Sequence, residues 1–269
     1  MSLSEPVALI TGASSGIGEV FARKLCKKGY GLVLVARRKQ RLQNLAAELG
    51  RAEVLAADLA TDSGRSAVEQ RIAAEPRLEF LVNNAGFGVQ DSFCDAGLEI
   101  QDRMYRLHVL AIERLTYAAL QGMVKRRRGD IINVSSVAGF MGTPYSVSYC
   151  STKAWINSFT EALYLELLCM HSPVRVQALC PGFTYTEFHE AMGMDRKGIP
   201  RILWMSAEDV VDASLRGIER NKLFVVPGRR YRLFLAVYRL FPRPLKHLIA
   251  VKYATARSRA AGPRPRSAG

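Results

Sequence analysis

The stretch Thr11-Gly12-Ala13-Ser14-Ser15-Gly16-Ile17-Gly18 decides the fold of this chain. It follows an apolar run at residues 7–10, which predicts a buried strand, and it leads into residues 19–28, whose apolar spacing predicts a helix. A glycine-rich turn between a strand and a helix is typical of the first βα turn in a βαβ unit. The turn therefore predicts a sheet in which strands and helices alternate.

The rest of the chain repeats this alternation. Five further apolar runs predict strands at residues 32–36, 54–57, 80–82, 131–134 and 174–179. Stretches with helical spacing lie between or after them, at residues 38–49, 63–74, 100–126 and 149–170. This pattern predicts an α/β fold, a doubly wound Rossmann-type parallel sheet in three α/β/α layers that form a single domain at residues 1–228. Ligands of such sheets bind beyond the carboxyl ends of the strands, so the residues after each run are the candidate site.

The glycines of the first turn predict a dinucleotide site. Gly12 permits a tight turn, Gly16 lets backbone N–H groups approach a pyrophosphate, and Gly18 allows the helix to pack closely on the strand. The alternative is a glycine-rich turn that binds nothing. The predicted cofactor contacts here are Gly12, Ser14, Ser15, Gly16, Ile17 and Gly18.

The residues after the second strand favour NADP(H) over NAD(H). An acid at this place would bind the ribose 2′-hydroxyl, but the chain has Arg37 and Arg38 instead. A guanidinium group offers a 2′-phosphate a bidentate, charge-assisted contact, to which Ser14 can add a hydroxyl. The alternative is that these arginines only begin a solvated helix.

Two further strand ends carry candidate adenosine contacts. Asp58 and Leu59 follow the third strand, and Asn84, Ala85 and Gly86 follow the fourth. Asp58 can accept a hydrogen bond from an adenine amino group, and the second segment combines amides with a close backbone approach. The alternatives are a helix cap for Asp58 and a simple turn for the Asn-Asn-Ala-Gly segment.

Ser136, Tyr149 and Lys153 form the strongest chemical signal. Tyr149 and Lys153 lie four residues apart on a predicted helix, so they project from one face and the ammonium can approach the phenol. A nearby cation favours the phenolate and lowers the pKa of a tyrosine towards the range of an acid–base catalyst. Ser136, at the end of the fifth strand, can hold a substrate oxygen beside that phenol.

These motifs, in this order, resemble those of the short-chain dehydrogenase/reductase family from about Pro6 to Val226. The resemblance implies an NADP(H)-dependent oxidoreductase that interconverts a carbonyl and a secondary alcohol, with Tyr149 as general acid–base and Lys153 also binding the nicotinamide ribose. It also implies a homodimer or homotetramer. The segment after the sixth strand resembles the family's Pro-Gly segment and adds the expected cofactor contacts Pro181, Gly182, Thr184 and Thr186.

One position departs from the family pattern. Where the family usually carries a catalytic Asn, within a pattern like Leu-Asn-Val, this chain has Leu107-His108-Val109. His108 either takes over the proton relay of that Asn or only satisfies the helix backbone. If the relay is impaired, the alternative function is a weakly catalytic sensor that binds NADP(H).

Residues 187–205 hold the place of the family's substrate lid. Their methionine and aromatic side chains suit an adaptable apolar pocket, which predicts a hydrophobic ketone or aldehyde as the substrate. The alternative is that they pack against a partner subunit. The predicted pocket residues are Phe140, Thr143, Tyr185, Phe188, Met192 and Trp204.

The positive charge of the chain is concentrated at its end. The formal net charge is +14, and residues 216–269 hold 14 Lys and Arg but one acid, Glu219. A basic tail favours association with anionic surfaces, whereas the domain shows no basic stripe with interleaved aromatics, so we expect no nucleic-acid partner. Residues 229–256 are basic and amphipathic, which suits peripheral contact with a membrane or packing on the domain itself. Residues 257–269 are predicted to be disordered.

The cysteines, the histidines and the uncharged stretches argue against several classes of protein. The five cysteines are odd in number and, like the four histidines, show no metal-ligand spacing, so we expect neither a disulfide framework nor a metal site. No signal peptide pattern opens the chain, and the uncharged residues 131–152 are too rich in Ser, Thr and Gly to span a membrane. The expected location is the cytoplasm, with peripheral contact at the inner membrane surface.

Overall fold

The computed structural model describes residues 5–188, 192 and 199–261. Its centre is a seven-stranded, wholly parallel sheet in the order β3-β2-β1-β4-β5-β6-β7. The strands are β1 (Val7–Thr11), β2 (Gly31–Ala36), β3 (Ala52–Ala56), β4 (Leu78–Asn83), β5 (Asp130–Val134), β6 (Arg175–Leu179) and β7 (Phe224–Val225).

Helices connect these strands. They are α1 (Gly16–Lys27), α2 (Lys39–Leu49), α3 (Asp62–Ala73), α4 (Leu98–Tyr105), α5 (Ala111–Arg126), α6 (Val147–Cys169), α7 (Ala207–Glu219), α8 (Arg229–Leu240) and α9 (Arg243–Ala261). A π-helical turn, Arg106–Leu110, joins α4 to α5, and short 3₁₀ turns lie at Val137–Phe140 and Arg201–Leu203.

Apolar side chains fill both faces of the sheet. Phe21 of α1 and Val210 of α7 pack on one face, and Leu115 and Met123 of α5 pack on the other. Residues of β1 and β5 are buried throughout, because strands of a parallel sheet covered on both sides have no solvent face. The predicted doubly wound sheet in three α/β/α layers is therefore confirmed.

The predicted strands and helices differ from the observed ones mainly at their ends. All six predicted strands lie within one or two residues of the structure. The two-residue strand β7 was not predicted, because a run this short has no detectable period. The single helix predicted over residues 100–126 is in fact α4, the π-helical turn and α5.

The C-terminal segment forms two helices, separated at Pro242, whose fixed backbone disfavours a continuous helix. Tyr231 and Leu235 bury one side of α8 against the domain. Helix α9 reaches Ala261, inside the stretch predicted as disordered, and residues 262–269 lie outside the described residues. None of the described helices is long and apolar enough to cross a membrane.

Candidate active site

The glycine turn follows β1 and leads into α1. Gly12 and Gly16 have φ angles of +66° and +58°, in the left-handed region that favours glycine. A Cβ atom on Gly16 would lie 2.9 Å from Cγ2 of Thr186, and one on Gly18 would lie 2.3 Å from the carbonyl oxygen of Gly12. The turn is therefore backbone-lined, as the close approach of a pyrophosphate requires, and Thr186 of the Pro-Gly segment lies directly against it.

Thr11 ties this turn to the loop after β4. Its hydroxyl accepts hydrogen bonds from the backbone N–H groups of Asn84 (2.9 Å) and Ala85 (3.0 Å). The Asn84 side-chain amide donates back to the carbonyl oxygens of Thr11 (2.9 Å) and Gly12 (3.3 Å). Asn84 thus holds the glycine turn in place. Thr11 was not predicted as a site residue, because the sequence does not distinguish a threonine at the end of a strand from any other strand residue.

Asp58 forms a turn after β3. One carboxylate oxygen accepts from the Ala60 N–H (3.0 Å) and the other from Arg103 of α4 (2.6 Å). The helix cap that was the alternative role for Asp58 belongs to Thr61, whose hydroxyl accepts from Gly64 at the start of α3. Leu59 is buried in the core beneath the turn.

The end of β2 carries a cluster of charged groups. The Arg38 guanidinium donates to the hydroxyls of Ser14 (3.1 Å) and Ser15 (2.7 Å). It also pairs with Glu187 (2.7 Å), which Arg41 contacts from the other side (2.6 Å). Arg37 is exposed and makes no ion pair among the described residues. The pairing of Arg41 with Glu187 was not predicted, since nothing in the sequence joins positions 146 residues apart.

Ser136, Tyr149 and Lys153 are brought together beyond β5. Ser136 caps the 3₁₀ turn after that strand, and its side chain lies close enough to Tyr149 to act on the pKa of the phenol. Lys153, one turn along α6, is buried and donates to the carbonyl oxygen of Val134 (2.8 Å). Its Nζ lies 5.7 Å from the centre of the Tyr149 ring.

Burial dominates the electrostatics of this cluster. It raises the pKa of Tyr149 to about 12, although the Ser136 side chain acts in the opposite direction. Burial also lowers the pKa of Lys153 to about 8. The expectation of a tyrosine pKa below its ordinary value is therefore not met. A protonated phenol beside a cationic lysine is instead the form that donates a proton at neutral pH.

His108 lies in the π-helical turn and is fully buried. Its Nε2 accepts from the Phe87 N–H (3.1 Å), so the ring proton lies on Nδ1 and is donated to the Thr152 hydroxyl (3.0 Å). That hydroxyl in turn donates to the carbonyl oxygen of Tyr149. Burial and the charge of Lys153 hold the pKa of His108 well below its usual range.

The side chain of His108 also shapes the loop after β4. A Cβ atom on Gly86 would lie 2.9 Å from Nε2 of the ring, so glycine is the residue that fits there.

Two predicted pocket residues lie near the Tyr149 phenol. The Phe188 ring centre is 5.9 Å from that of Tyr149, and Phe188 and Met192 both lie over Gly88. A small cavity at Tyr149 is lined by side chains from the loop after β4, from α4 and from the start of α6, none of which was predicted. They are Val89, Asp91, Phe93, Gln101, Met104, Tyr145, Ser146, Val147 and Ser148.

The other predicted pocket residues make contacts elsewhere. Tyr185 stacks on Trp204, with ring centres 5.0 Å apart. Phe140 packs against Phe224 of β7 and the guanidinium of Arg239. The Thr143 hydroxyl is 3.2 Å from the Cys150 sulfur.

The Pro-Gly segment follows β6 and lies between the glycine turn and α8. The Pro181 carbonyl oxygen accepts from the Val137 N–H (3.0 Å), and the Tyr231 ring packs on Gly182. The buried Thr184 donates to the Gly182 carbonyl oxygen (3.1 Å). Of the predicted lid, residues 189–191 and 193–198 lie outside the described residues.

Comparisons with known proteins agree with this geometry. The model of the short chain dehydrogenase family matches residues 6–197. The 3-ketodihydrosphingosine reductase of Bacteroides thetaiotaomicron is 32% identical over 214 residues, which cover 79% of this chain and 74% of that protein.

Two solved structures are similar over nearly the whole chain. A short-chain dehydrogenase from Sphingobium yanoikuyae in complex with NADPH is 33% identical, with a TM-score of 0.79 and 98% of both chains covered. The bulky-bulky ketone specific alcohol dehydrogenase from Comamonas testosteroni is 29% identical, with a TM-score of 0.75 and 98% of this chain and 97% of that one covered.

A nicotinamide dinucleotide fits the described site. The glycine turn is lined by backbone where a Cβ atom would clash, and cationic groups lie at the end of the next strand. The span that matches the family includes that turn as well as Tyr149 and Lys153 of α6. The chain therefore belongs to the short-chain dehydrogenase family and is an oxidoreductase that uses a nicotinamide cofactor.

Proposed function

We propose that this protein is an NADP(H)-dependent reductase of hydrophobic ketones or aldehydes, which it converts to alcohols. The observation that carries the proposal is the cluster of Ser136, Tyr149 and Lys153 beyond β5, in which Lys153 is buried and the other two are partly buried. A phenol that is protonated at neutral pH and lies beside a serine hydroxyl suits proton donation to a carbonyl oxygen.

A bound nicotinamide would supply a hydride to the carbonyl carbon. Tyr149 gives its phenolic proton to the carbonyl oxygen, which becomes the alcohol hydroxyl. Ser136 hydrogen-bonds the same oxygen and orients it. Lys153, held by the Val134 carbonyl, places a positive charge beside the phenol and favours the phenolate that forms. The reverse path oxidises the alcohol.

The cofactor lies, in this proposal, across the carboxyl ends of β1, β2 and β4. The turn of Gly12, Ser14, Ser15, Gly16, Ile17 and Gly18 holds the pyrophosphate, and Arg38 with Arg37 binds the 2′-phosphate. Further contacts come from the other strand ends and α6: Asp58, Leu59, Asn84, Ala85, Gly86, Tyr149, Lys153, Pro181, Gly182, Thr184 and Thr186. The arginines support NADP(H) because a guanidinium matches a phosphate, and the similar Sphingobium structure holds NADPH.

The substrate in this proposal is bulky and apolar. Phe188 and Met192 lie over Gly88 near the phenol, and Phe93 and Met104 line the adjacent cavity. Adaptable methionine and aromatic side chains suit such a ligand. Two similar proteins are described as reductases or dehydrogenases of a 3-ketodihydrosphingosine and of bulky-bulky ketones, which supports this substrate class.

A second candidate function is an NADP(H)-binding sensor with little turnover. It is favoured by His108, because both of its ring nitrogens are engaged by Phe87 and Thr152. A side chain in that state has no nitrogen with which to anchor a relay water.

Domain organisation and partners complete the proposal. Residues 1–228 form the catalytic domain with a substrate lid at 187–205, and the protein works in the cytoplasm as a homodimer or homotetramer. Residues 229–256 contact anionic membrane surfaces. Leu233, Val237 and Leu240 support this contact, because they are exposed on the side of α8 opposite the buried Tyr231 and Leu235.

Absorbance-monitored oxidation of NADPH tests this function. A panel should run from small polar aldehydes to long-chain 3-ketones, with NADH in parallel. We expect turnover with the apolar members and NADPH. Tight binding of NADPH without turnover of any bulky ketone would instead favour the sensor.

A further inference from the structure

The cluster at the end of β2 is an anion site already filled by a side chain of the protein. Arg38 holds one oxygen of the Glu187 carboxylate at 2.7 Å, and Arg41 contacts both oxygens at 2.6 and 2.9 Å. Arg38 is itself fixed by hydrogen bonds to the hydroxyls of Ser14 and Ser15. Two guanidinium groups thus converge on one point beside the glycine turn.

A phosphate monoester matches this site better than a carboxylate does. It carries a charge of about −1.5 to −2 at pH 7 and three strong acceptor oxygens, against one charge and two oxygens for Glu187. Guanidinium groups bind phosphate in bidentate fashion, and each serine hydroxyl has an O–H of its own to donate.

Glu187 is charged and readily displaced. The two guanidinium groups hold its pKa below the usual range, so the carboxylate is ionised at neutral pH. The side chains of Arg38, Arg41 and Glu187 are nevertheless between 43% and 49% exposed. Ion pairs this open to water contribute little to stability, so a more highly charged ligand can replace the carboxylate.

We propose that Glu187 is an internal competitor for the 2′-phosphate of NADP(H) and limits how strongly the enzyme prefers NADPH to NADH. This inference rests on the proposed NADP(H) preference. A 2′-phosphate needs the arginines that Glu187 holds and is repelled by the carboxylate. The 2′-hydroxyl of NADH needs neither arginine, and a carboxylate is a good acceptor for it.

Calorimetric titration of Glu187→Gln with NADPH and NADH tests the proposal without any substrate. Removing the charge releases Arg38 and Arg41, so we expect the Kd for NADPH to fall by about three- to tenfold. The Kd for NADH should stay the same or rise. Adenosine 2′-monophosphate should gain affinity as NADPH does, whereas adenosine 5′-monophosphate should not, which locates the effect at the 2′-phosphate.

Two further variants separate the competing explanations. Glu187→Ala removes the side-chain acceptor altogether and should give the same gain for NADPH. Glu113→Gln on α5 makes the same change of net charge at an exposed position and should alter neither affinity.

The outcomes distinguish this inference from the proposed function. If the wild type prefers NADPH but Glu187→Gln changes both cofactors equally, or neither, Glu187 is not a competitor and only this inference fails. If neither the wild type nor the variants prefer NADPH, the assignment of this cluster to the 2′-phosphate is wrong, and the inference about Glu187 is wrong as well.

Discussion

His108 shows how one residue can be fixed by its surroundings. Its backbone lies in a π-helical turn, one ring nitrogen accepts from Phe87, and the other donates to Thr152 beside Tyr149. A buried imidazole with both nitrogens bonded in this way is stable only as the neutral ring. These contacts support a structural role for His108, as a positioning group for the helix that carries Tyr149.

This role makes the stability of the protein sensitive to acid. The pKa of His108 lies well below 6.5 in the folded protein, whereas in the unfolded chain the imidazole takes up a proton near pH 6.5. Below that pH the unfolded state binds more protons, so stability falls as the pH falls. Between pH 7.5 and pH 5, we expect the free energy of unfolding to fall by about 2 kcal/mol more in the wild type than in His108→Asn.

Urea unfolding at both pH values measures this difference. His247→Asn, which replaces an exposed histidine of α9, is the matched control and should behave like wild type. An equal fall in the free energy of unfolding of wild type and His108→Asn would show that His108 is protonated in the folded protein.

Contacts between elements position the Pro-Gly segment. Tyr231 of α8 donates to the Leu203 carbonyl oxygen at 2.6 Å and accepts from the Phe183 N–H at 3.0 Å. A single phenol thus joins the C-terminal helix to two segments beside the candidate site. Helix α8 is therefore part of the packed structure.

Tyr231→Phe should destabilise the protein by about 1–3 kcal/mol, because it leaves a backbone donor and a backbone acceptor without their partner. The free energy of unfolding in urea measures the loss. Tyr238→Phe removes a hydroxyl from the same helix, where the ring stacks on Phe234, and should cost much less. If both variants lose the same stability, the Tyr231 hydroxyl does not join these segments.

Local patterns predicted some elements well and others not at all. Buried parallel strands such as β1 and β2 are nearly continuous apolar runs, so their places follow from the sequence. The π-helical turn at Arg106–Leu110 does not follow, because apolar spacing does not reveal a local change in the backbone hydrogen-bond pattern. Sequence patterns also do not show the hydrogen bonds from Asn84 to Thr11 or the pairing of Glu187 with Arg38, because these contacts join segments that are distant in sequence.

Charged and apolar side chains are unevenly distributed over the surface of the whole molecule. Beyond Glu219 the chain carries no acid, and its outer helices expose apolar side chains, including Leu240 at 83%. A second copy of this chain would bring like charges together at that surface. An anionic bilayer instead attracts the basic groups and accepts the apolar ones.

We therefore expect the full chain to bind vesicles that contain phosphatidylglycerol and not vesicles of phosphatidylcholine alone. Combined replacement of Leu233, Val237 and Leu240 by Asn should weaken binding measured by co-sedimentation, because it removes the inserted apolar surface. Replacement of the exposed Leu98, Leu165 and Leu168 by Asn is the matched control. Equal binding by both triple variants would contradict the membrane contact.

The proposed function has Tyr149 as the proton donor of an NADPH-dependent reductase. Its most direct test compares wild type with Tyr149→Phe, by ketone-dependent oxidation of NADPH and by calorimetric titration of NADPH. We predict that kcat falls by about 10²–10⁴-fold while the Kd for NADPH is nearly unchanged, since the variant loses only the transferable proton. A variant that keeps the wild-type rate would contradict the account.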